Sequence, residues 1–364
     1  NQFCGPLRVV NVSSTRGTYG IDAYGFGCTD DSLVVENSSF AQHTYGVYGF
    51  YMPVKVTNST FTDNQYHLYL GSAPMLVTNN ALVRPKFYGV YLSTGGLGSS
   101  SLLDNTITCD VVGAAGAYGI EVLAFRPDTV VIANNTVTGC FSGVRAYGGS
   151  RIGIQGNGVS LPSSVGGYGI VGDPDTLLRV AGNTVSGPAK YGSIRIEAVQ
   201  QARVDTNTVT GSIQAGIYVA GSVDSLTIKA NLLSNHTAGT CCLFTTTGAL
   251  VLDASAATNR SAEVLRNRIT DTKSSGIVLL RDFGDTVRVL VDSNTVKRAD
   301  SMGIWVRFYS RANVRKNAVD SAGIDAVRLE QFTGVPAASV NFNNFSRSVR
   351  KAVNNVGSAG LIDA

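Results

Sequence analysis

Asparagine returns along this chain at a steady rhythm, and that rhythm limits the fold more than composition does. Asn11, Asn37, Asn58, Asn80, Asn105, Asn135, Asn157, Asn183, Asn207, Asn231, Asn267, Asn294, Asn317 and Asn344 each open a short Ser/Thr–apolar step, at intervals of 21 to 36 residues. A second marker, Gly20, Gly46, Gly89, Gly192, Gly216, Gly276 and Gly303, follows nine residues after half of them. An apolar residue comes next in most cases, as in Tyr19-Gly20-Ile21 and Tyr88-Gly89-Val90. Repeats of this length mean a solenoid, a propeller or an array.

The segments between markers are rich in Val, Thr, Ile and Tyr, alternate at period two, and are cut by Gly and Asn every few residues. That pattern argues for short strands and against helical repeats. A propeller blade needs about 40 residues, and the leucine ladder of a leucine-rich repeat is missing. The sequence therefore predicts an all-β chain, a parallel β-helix with one coil per repeat and about fourteen coils. Asn suits a left-handed turn between strands, and asparagines stacked coil on coil can form a hydrogen-bonded ladder. The marker glycines are expected to supply positive φ or close backbone approach at another corner.

Composition removes several functional classes. Apolar residues make up 44% of the chain, which excludes a solvated, disordered chain, and no apolar run approaches the length of a membrane helix. The net charge of +4 is mild and its Lys and Arg are scattered, so no nucleic-acid footprint is present. The chain opens at Asn1 without an initiator Met and reads as part of a longer precursor, one continuous domain over residues 1–364. Insertions are expected near 110–116 and 240–262, inside the two longest intervals. Exposed strand edges invite pairing, so the β-helix ends are expected either to be capped within a larger parent or to be covered by another molecule, a further copy included.

Cys109 and Cys140 fall four and five residues after Asn105 and Asn135, so they are expected to stack in adjacent coils within disulfide reach. Cys4 and Cys28 stand in a similar relation. Cys241 and Cys242 either bridge each other or stay reduced. Two register-matched pairs favour an oxidising, extracellular or cell-surface location. No metal site is expected, because the three histidines occupy unrelated repeat positions and no Cys-x-x-Cys occurs. Asn11, Asn37, Asn58, Asn134, Asn235, Asn259 and Asn344 match the Asn-x-Ser/Thr glycosylation pattern. Several coincide with ladder markers, where their side chains are expected to be occupied inside a turn.

The Asn-Thr-Val step with its Gly-Ile/Val partner resembles the right-handed parallel β-helix repeats of the pectate-lyase-like superfamily, from Asn11 to Asn344. The resemblance implies a single right-handed parallel β-helix solenoid with an Asn ladder. It implies no one activity, because that superfamily holds lyases, hydrolases, epimerases, tailspikes and adhesins. Its Gly-His-Gly and clustered-aspartate motifs are absent here. Gly172-Asp173-Pro174-Asp175 comes near the epimerase Asp-Pro-His-Asp motif but lacks the His.

Strand alternation places Ile21, Val47, Val90, Ile120 and Val144 inward, and the residue after each outward. The outward column holds Tyr48, Tyr69, Tyr91, Glu121, Arg145, Arg195, Tyr218 and Trp305, with Tyr147, Asp173 and Glu197 two residues further on. Tyr48, Tyr69, Tyr91, Tyr147, Tyr218 and Trp305 are the candidate ligand-stacking residues. Glu121, Arg145, Asp173, Arg195 and Glu197 are the candidate catalytic set if the protein is an enzyme, since carboxylates and arginines can handle uronate charge or act as acid and base. The leading expectation is a β-helical structural or adhesive protein, self-assembling or contacting a polysaccharide or cell-surface glycan. The alternative is a polysaccharide lyase or glycoside hydrolase on the same face. No cofactor is expected, except calcium if the protein is a lyase.

Overall fold

The computed structural model describes residues 5–25, 31–71, 74–95, 98–110, 116–125, 128–149, 151–162, 166–221, 223–237, 247–253, 261–280, 288–307, 311–330 and 339–356. Among them all regular structure is β-strand. The chain divides into two compact units, Asn1–Leu178 and Arg179–Ala364, and the same coil builds both.

One coil shows the plan. Strand Val54–Thr57 ends at Asn58, Ser59 follows, and strand Thr60–Thr62 runs to Asp63. Strand Tyr66–Gly71 completes the coil. Each strand pairs in parallel with its counterpart one coil on: Met75–Thr78, Ala81–Val83 and Tyr88–Thr94. In the second unit, Val199–Asp205, Thr208–Thr210 and Ile217–Ala220 stack in the same way on Val223–Lys229, Leu232–His236 and Gly248–Asp253.

Alternation sends one face of every strand inward. The inward residues Val47, Val90, Ile120, Val144, Ile194, Ile217, Ile277 and Ile304 are wholly buried. Phe40 and Phe61 stack inside the first unit, with ring centroids 5.4 Å apart. Each fully buried aliphatic or aromatic side chain contributes about 1.5–3 kcal/mol, so the repeated apolar step stabilises every coil.

Two adjacent residues share the corner between the first two strands of a coil. The first is left-handed: φ is 50° at Asn37, 51° at Asn58, 55° at Asn79, 57° at Asp104 and 57° at Asn134. The second turns its side chain inward and bonds to the next coil. Asn105 Oδ1 accepts from both the backbone N–H (3.1 Å) and the side-chain Nδ2 (2.9 Å) of Asn80. Asn135 does the same for Asn105, and Asn157 for Asn135. In the second unit the ladder runs from Asn183 through Asn207, Asn231, Asn267, Asn294 and Asn317 to Asn343.

This splits the two roles that the sequence pattern assigned to one residue. Asn11, Asn37 and Asn58 are left-handed corner residues, and the ladder side passes instead through Ser38 and Ser59. At the other end Asn343 carries the ladder, and Asn344 opens the following strand. Coil stacking imposes the left-handed conformation even on residues that disfavour it, such as Thr206 (φ 55°) and Phe342 (φ 53°). The sequons change meaning accordingly. Asn11, Asn37, Asn58, Asn134 and Asn235 have positive φ and are exposed, outside the ladder. Asn344 is also exposed. Asn259 lies outside the described residues.

Most of the marker glycines answer to close approach. A Cβ on Gly276 would lie 2.6 Å from the Gly303 carbonyl oxygen and 2.5 Å from Val296 Cγ1. Gly192 alone among the markers has positive φ, 115°.

Cys109 and Cys140 form a disulfide between neighbouring coils, their Cα atoms 4.8 Å apart. Cys4, Cys28, Cys241 and Cys242 lie outside the described residues, as does most of the segment expected as an insertion near 110–116. The segment 240–262 contains a regular strand, Gly248–Asp253, paired in register with Ile217–Ala220 and Ser275–Leu280, and its end begins another, Ser261–Leu265. The long interval therefore holds ordinary coil elements as well as added chain.

The adjacent Asn134 and Asn135 give a test of the corner. Asn135→Ala removes an acceptor from Asn105 and a donor from Leu102 and Ala133. Stranding such buried groups costs about 1–3 kcal/mol each, so a clear fall in the urea midpoint is expected. Asn134→Gly keeps a residue that tolerates positive φ and should change stability by less than about 0.5 kcal/mol. Equal effects of the two substitutions would contradict the division of roles.

Candidate functional site

The outward face of the third strands in the first unit is a tyrosine surface. Parallel register brings Tyr19, Tyr45, Tyr66, Tyr88 and Tyr118 into one column. Successive rings stack at centroid distances of 5.3, 4.9, 5.6 and 5.1 Å, with interplanar angles of 12° to 16°. Three residues further along the strands lies a second column, Tyr48, Tyr69 and Tyr91, stacked at 5.5 and 4.5 Å. The columns meet edge to face: Tyr45 on Tyr48, Tyr66 on Tyr69 and Tyr88 on Tyr91, at 5.1 to 5.4 Å. Tyr24 and Phe50 extend the surface beside Tyr48.

Offset stacked and edge-to-face rings are the arrangements favoured by aromatic quadrupoles, worth about 0.5–1.5 kcal/mol per pair beyond burial. The rings are half-buried, apart from the more exposed Tyr19 and Tyr24. Burial pushes the Tyr69 and Tyr88 hydroxyls up to about 12. A hydrogen bond with Tyr24, followed by burial, raises Tyr48 as well. These hydroxyls are therefore uncharged at ordinary pH, and Asp22, in register with Tyr48, supplies a carboxylate at the edge of the second column.

The second column ends in charge. Glu121 pairs in register with Tyr91 and Arg145 with Glu121. Arg145 Nη1 donates to Glu121 Oε2 at 3.3 Å, and its Nε donates to the Tyr147 hydroxyl at 2.6 Å. The guanidinium carbon lies 4.7 Å from the centre of the Tyr118 ring and 5.0 Å from that of Tyr147. Arg145 is thus fixed in orientation by two rings, a hydroxyl and a carboxylate. Glu121 is only 8% exposed. Burial raises its carboxyl above the ordinary glutamate range, against the opposing pull of Arg145 and a Tyr88 hydrogen bond. Asp173 is the register partner of Tyr147.

The other candidates belong to the second unit. Arg195 forms an ion pair with Glu197, one residue past the strand Ile194–Ile196, and lies 5.3 Å from the centre of the Tyr218 ring. Tyr218 is only 5% exposed, and its hydroxyl donates to Asp253 Oδ2 at 2.8 Å. It packs with Ala215, Val251 and Val278 rather than standing open. Burial raises its hydroxyl too, with the Asp253 charge adding to the effect. Trp305 is half-buried against this cluster, with Arg307 and Arg328 each 5.9 Å from its ring centre.

The five residues read as one catalytic set therefore fall into separate groups. Glu121 and Arg145 make one pair, Arg195 and Glu197 another, and Asp173 follows Tyr147. The first tyrosine column was missed as a surface. Its signal was present in the Tyr-Gly dipeptides at Tyr19, Tyr45, Tyr88 and Tyr118, where Tyr precedes a glycine that cannot shield it.

A shallow cleft of about 590 Å³ on the first-strand sheet of the second unit is lined by Ser261, Glu263, Arg288, Leu290, Asn313 and Arg315, among others. It contains no candidate residue. Among the described residues no three His, Cys, Asp or Glu side chains cluster as metal ligands.

The right-handed β-helix region family matches residues 7–159 and 165–345, and the chain belongs to that family. Among solved structures it is similar to the periplasmic alginate epimerase AlgG, at 12% identity and a TM-score of 0.45, over 94% of this chain and 78% of that one. It is also similar to the catalytic unit of a thermostable GH87 alpha-1,3-glucanase from Streptomyces thermodiastaticus, at 15% identity and a TM-score of 0.47. That match covers 98% of this chain and 64% of the glucanase unit. No curated protein matches the chain.

The buried pair makes a signed prediction. A carboxyl raised in the fold contributes its full stability below its unfolded pKa and loses it as pH rises through the folded value. The Glu121 carbon resonance should therefore titrate above those of exposed glutamates. In Arg145→Gln, which removes the main opposing charge, it should titrate higher still. A Glu121 midpoint at or below the ordinary glutamate value would contradict this environment.

Proposed function

We propose that this protein is a saccharide-binding β-helix protein and that the tyrosine face of its first unit holds a polysaccharide chain. The observation that carries the reading is the pair of aligned tyrosine columns. They present uncharged, half-buried rings at a centroid spacing of 4.5 to 5.6 Å. The ring faces are taken up by one another, so the ring edges and phenolic hydroxyls are what a sugar meets, through its C–H groups and hydroxyls. A row repeating once per coil suits a ligand that itself repeats, so a polymer fits better than a compact small molecule. At the end of the row Arg145 is held ready for a carboxylate or hydroxyl of the same chain.

An extracellular or cell-surface location accords with the Cys109–Cys140 disulfide. No helix among the described residues is long and apolar enough to cross a membrane. An adhesive or structural role is the simplest use of such a face. One observation favours an enzymatic second reading: Glu121, a buried carboxyl raised above the ordinary glutamate range beside a fixed arginine, suits a general acid or base.

Affinity electrophoresis through gels containing polysaccharides tests both readings. Retardation is expected with at least one polymer, and Tyr48→Ala with Tyr69→Ala should weaken it by roughly tenfold, at about 0.5–1.5 kcal/mol per lost ring contact. Retention unchanged in that folded double variant would remove the tyrosine face from the reading. Turnover of a bound polymer that Glu121→Gln abolishes without loss of binding would make the protein an enzyme.

A further inference from the structure

The corner asparagines are chemically unlike the ladder asparagines, whose amides are fully engaged. At Asn134 the backbone N–H donates to the Gln155 carbonyl at 3.0 Å. Its side-chain amide is exposed and makes no hydrogen bond among the described residues. Asn235 repeats this at the corner between the second and third strands: φ is 57°, and the amide is exposed without a partner among the described residues. Both open an Asn-x-Thr step, Asn134-Asn135-Thr136 and Asn235-His236-Thr237. The middle residue of each, Asn135 or His236, is wholly buried, while the flanking Asn and Thr are exposed.

What lies one coil away separates these two from the other exposed sequons. The register that pairs Ala133 with Gln155 carries Asn134 onto Gly156, and the one that pairs Thr210 with Ser234 carries Asn235 onto Gly211. A Cβ on Gly156 would lie 2.6 Å from Asn134 Oδ1, so the amide leans over space that the glycine leaves open. Asn235 also lines a polar recess of about 340 Å³ with Asp271, Lys273 and Asp300. Asn11, Asn37 and Asn58, by contrast, follow one another on consecutive coils, with the N–H of Asn11 on the Glu36 carbonyl and that of Asn37 on the Thr57 carbonyl. At a coil step of about 4.8 Å, sugars on neighbouring members of that run would crowd one another. Asn344 is no left-handed corner residue, and the Ser346 hydroxyl of its motif donates to Asp320.

From this arrangement we infer that Asn134 and Asn235 are N-glycosylation sites, each carrying an oligosaccharide on its side-chain nitrogen. The donor class is an oligosaccharide on a polyprenyl pyrophosphate, and the reaction is a group transfer without oxidation or reduction. A bond forms between Asn Nδ2 and C1 of the first sugar as the C1–O bond to phosphate breaks. The pyrophosphate leaves with that bonding pair, and the amide proton passes to a base of the transferring enzyme. Thr136 and Thr237 complete the acceptor motif. A bulky, hydrated group fits an exposed corner amide; on a ladder amide such as Asn135 it would strand the groups that join one coil to the next. The Cys109–Cys140 disulfide accords with passage through an oxidising compartment, where such transfer takes place. At Asn134 the glycan stands between the first two strands of its coil, off the third-strand tyrosine face.

Glycopeptide mass spectrometry of the protein isolated from its own organism tests the inference. The peptides containing Asn134 and Asn235 are expected to carry a sugar mass and to release sugar fragment ions. Thr136→Ala and Thr237→Ala, made in the same organism, should each remove one glycan, read as a single step in gel mobility. Thr136→Ser should keep it, since the hydroxyl of the motif is restored. Both threonines are exposed and leave the ladder amides untouched, so the variants should fold as the parent does.

Bare peptides at both positions would overturn the inference, and a bare peptide at one would overturn it for that site. A glycan that stays on Asn134 in Thr136→Ala would overturn the assignment to the Asn-x-Thr motif.

Discussion

Everything on the surface of each unit depends on the bond between one ladder asparagine and the next. A primary amide carries an acceptor and two donors, and here all three are used. The oxygen takes the backbone and side-chain N–H groups of the preceding coil, and the nitrogen supplies carbonyls that the corner would otherwise strand, as at Asn135. Each bond is worth only about 1 kcal/mol net, but a buried group left without a partner costs up to about 3. That asymmetry makes the register discrete. A coil cannot slip by one residue without stranding several polar groups and turning its apolar face outward.

Fixed register is what turns a repeated sequence into columns of like residues. Tyr45, Tyr66 and Tyr88 meet face to face because their strands are held at one spacing and one alignment, and not because tyrosines attract strongly. The same rule places Arg145 beside Glu121 and Arg328 beside Trp305. Where the column residue is aromatic, the surface is uncharged and suited to stacking. Where it is charged, the partner one coil on, or two residues along the strand, fixes the side chain in one orientation. The difference between the two units thus comes from a few outward positions on a common coil.

The period, the strand class, the inward residues and the Cys109–Cys140 pair were legible because each rests on spacing alone. The division of labour at the corner was not. Asn11, Asn37 and Asn58 look like Asn80 and Asn105 in a string of letters, since asparagine serves both as a left-handed residue and as a ladder amide. Only the neighbouring coil shows which role each fills. The candidate site was legible in part. Alternation gave the outward column, but it could not say that Tyr218 is packed away beside Val251 and Val278. Nor could it say that Arg195 would turn to Glu197, just past the end of its own strand. Burial of an outward residue depends on what lies over it, and that is not a periodic property.

By itself, the sequence determined the coil: its length, its short strands, its apolar interior and the recurrence of a polar corner. Those follow from local preference and periodicity, which every repeat states again. The tertiary structure alone decided which asparagine bends the chain and which one binds the next coil. It also decided that the tyrosines form two interlocking columns, that Glu121 is buried beside Arg145, and that Trp305 lies beside Arg328 of the next coil. Most of these are contacts between residues 20 or more positions apart, set by how one coil lands on another, and no single repeat contains that information.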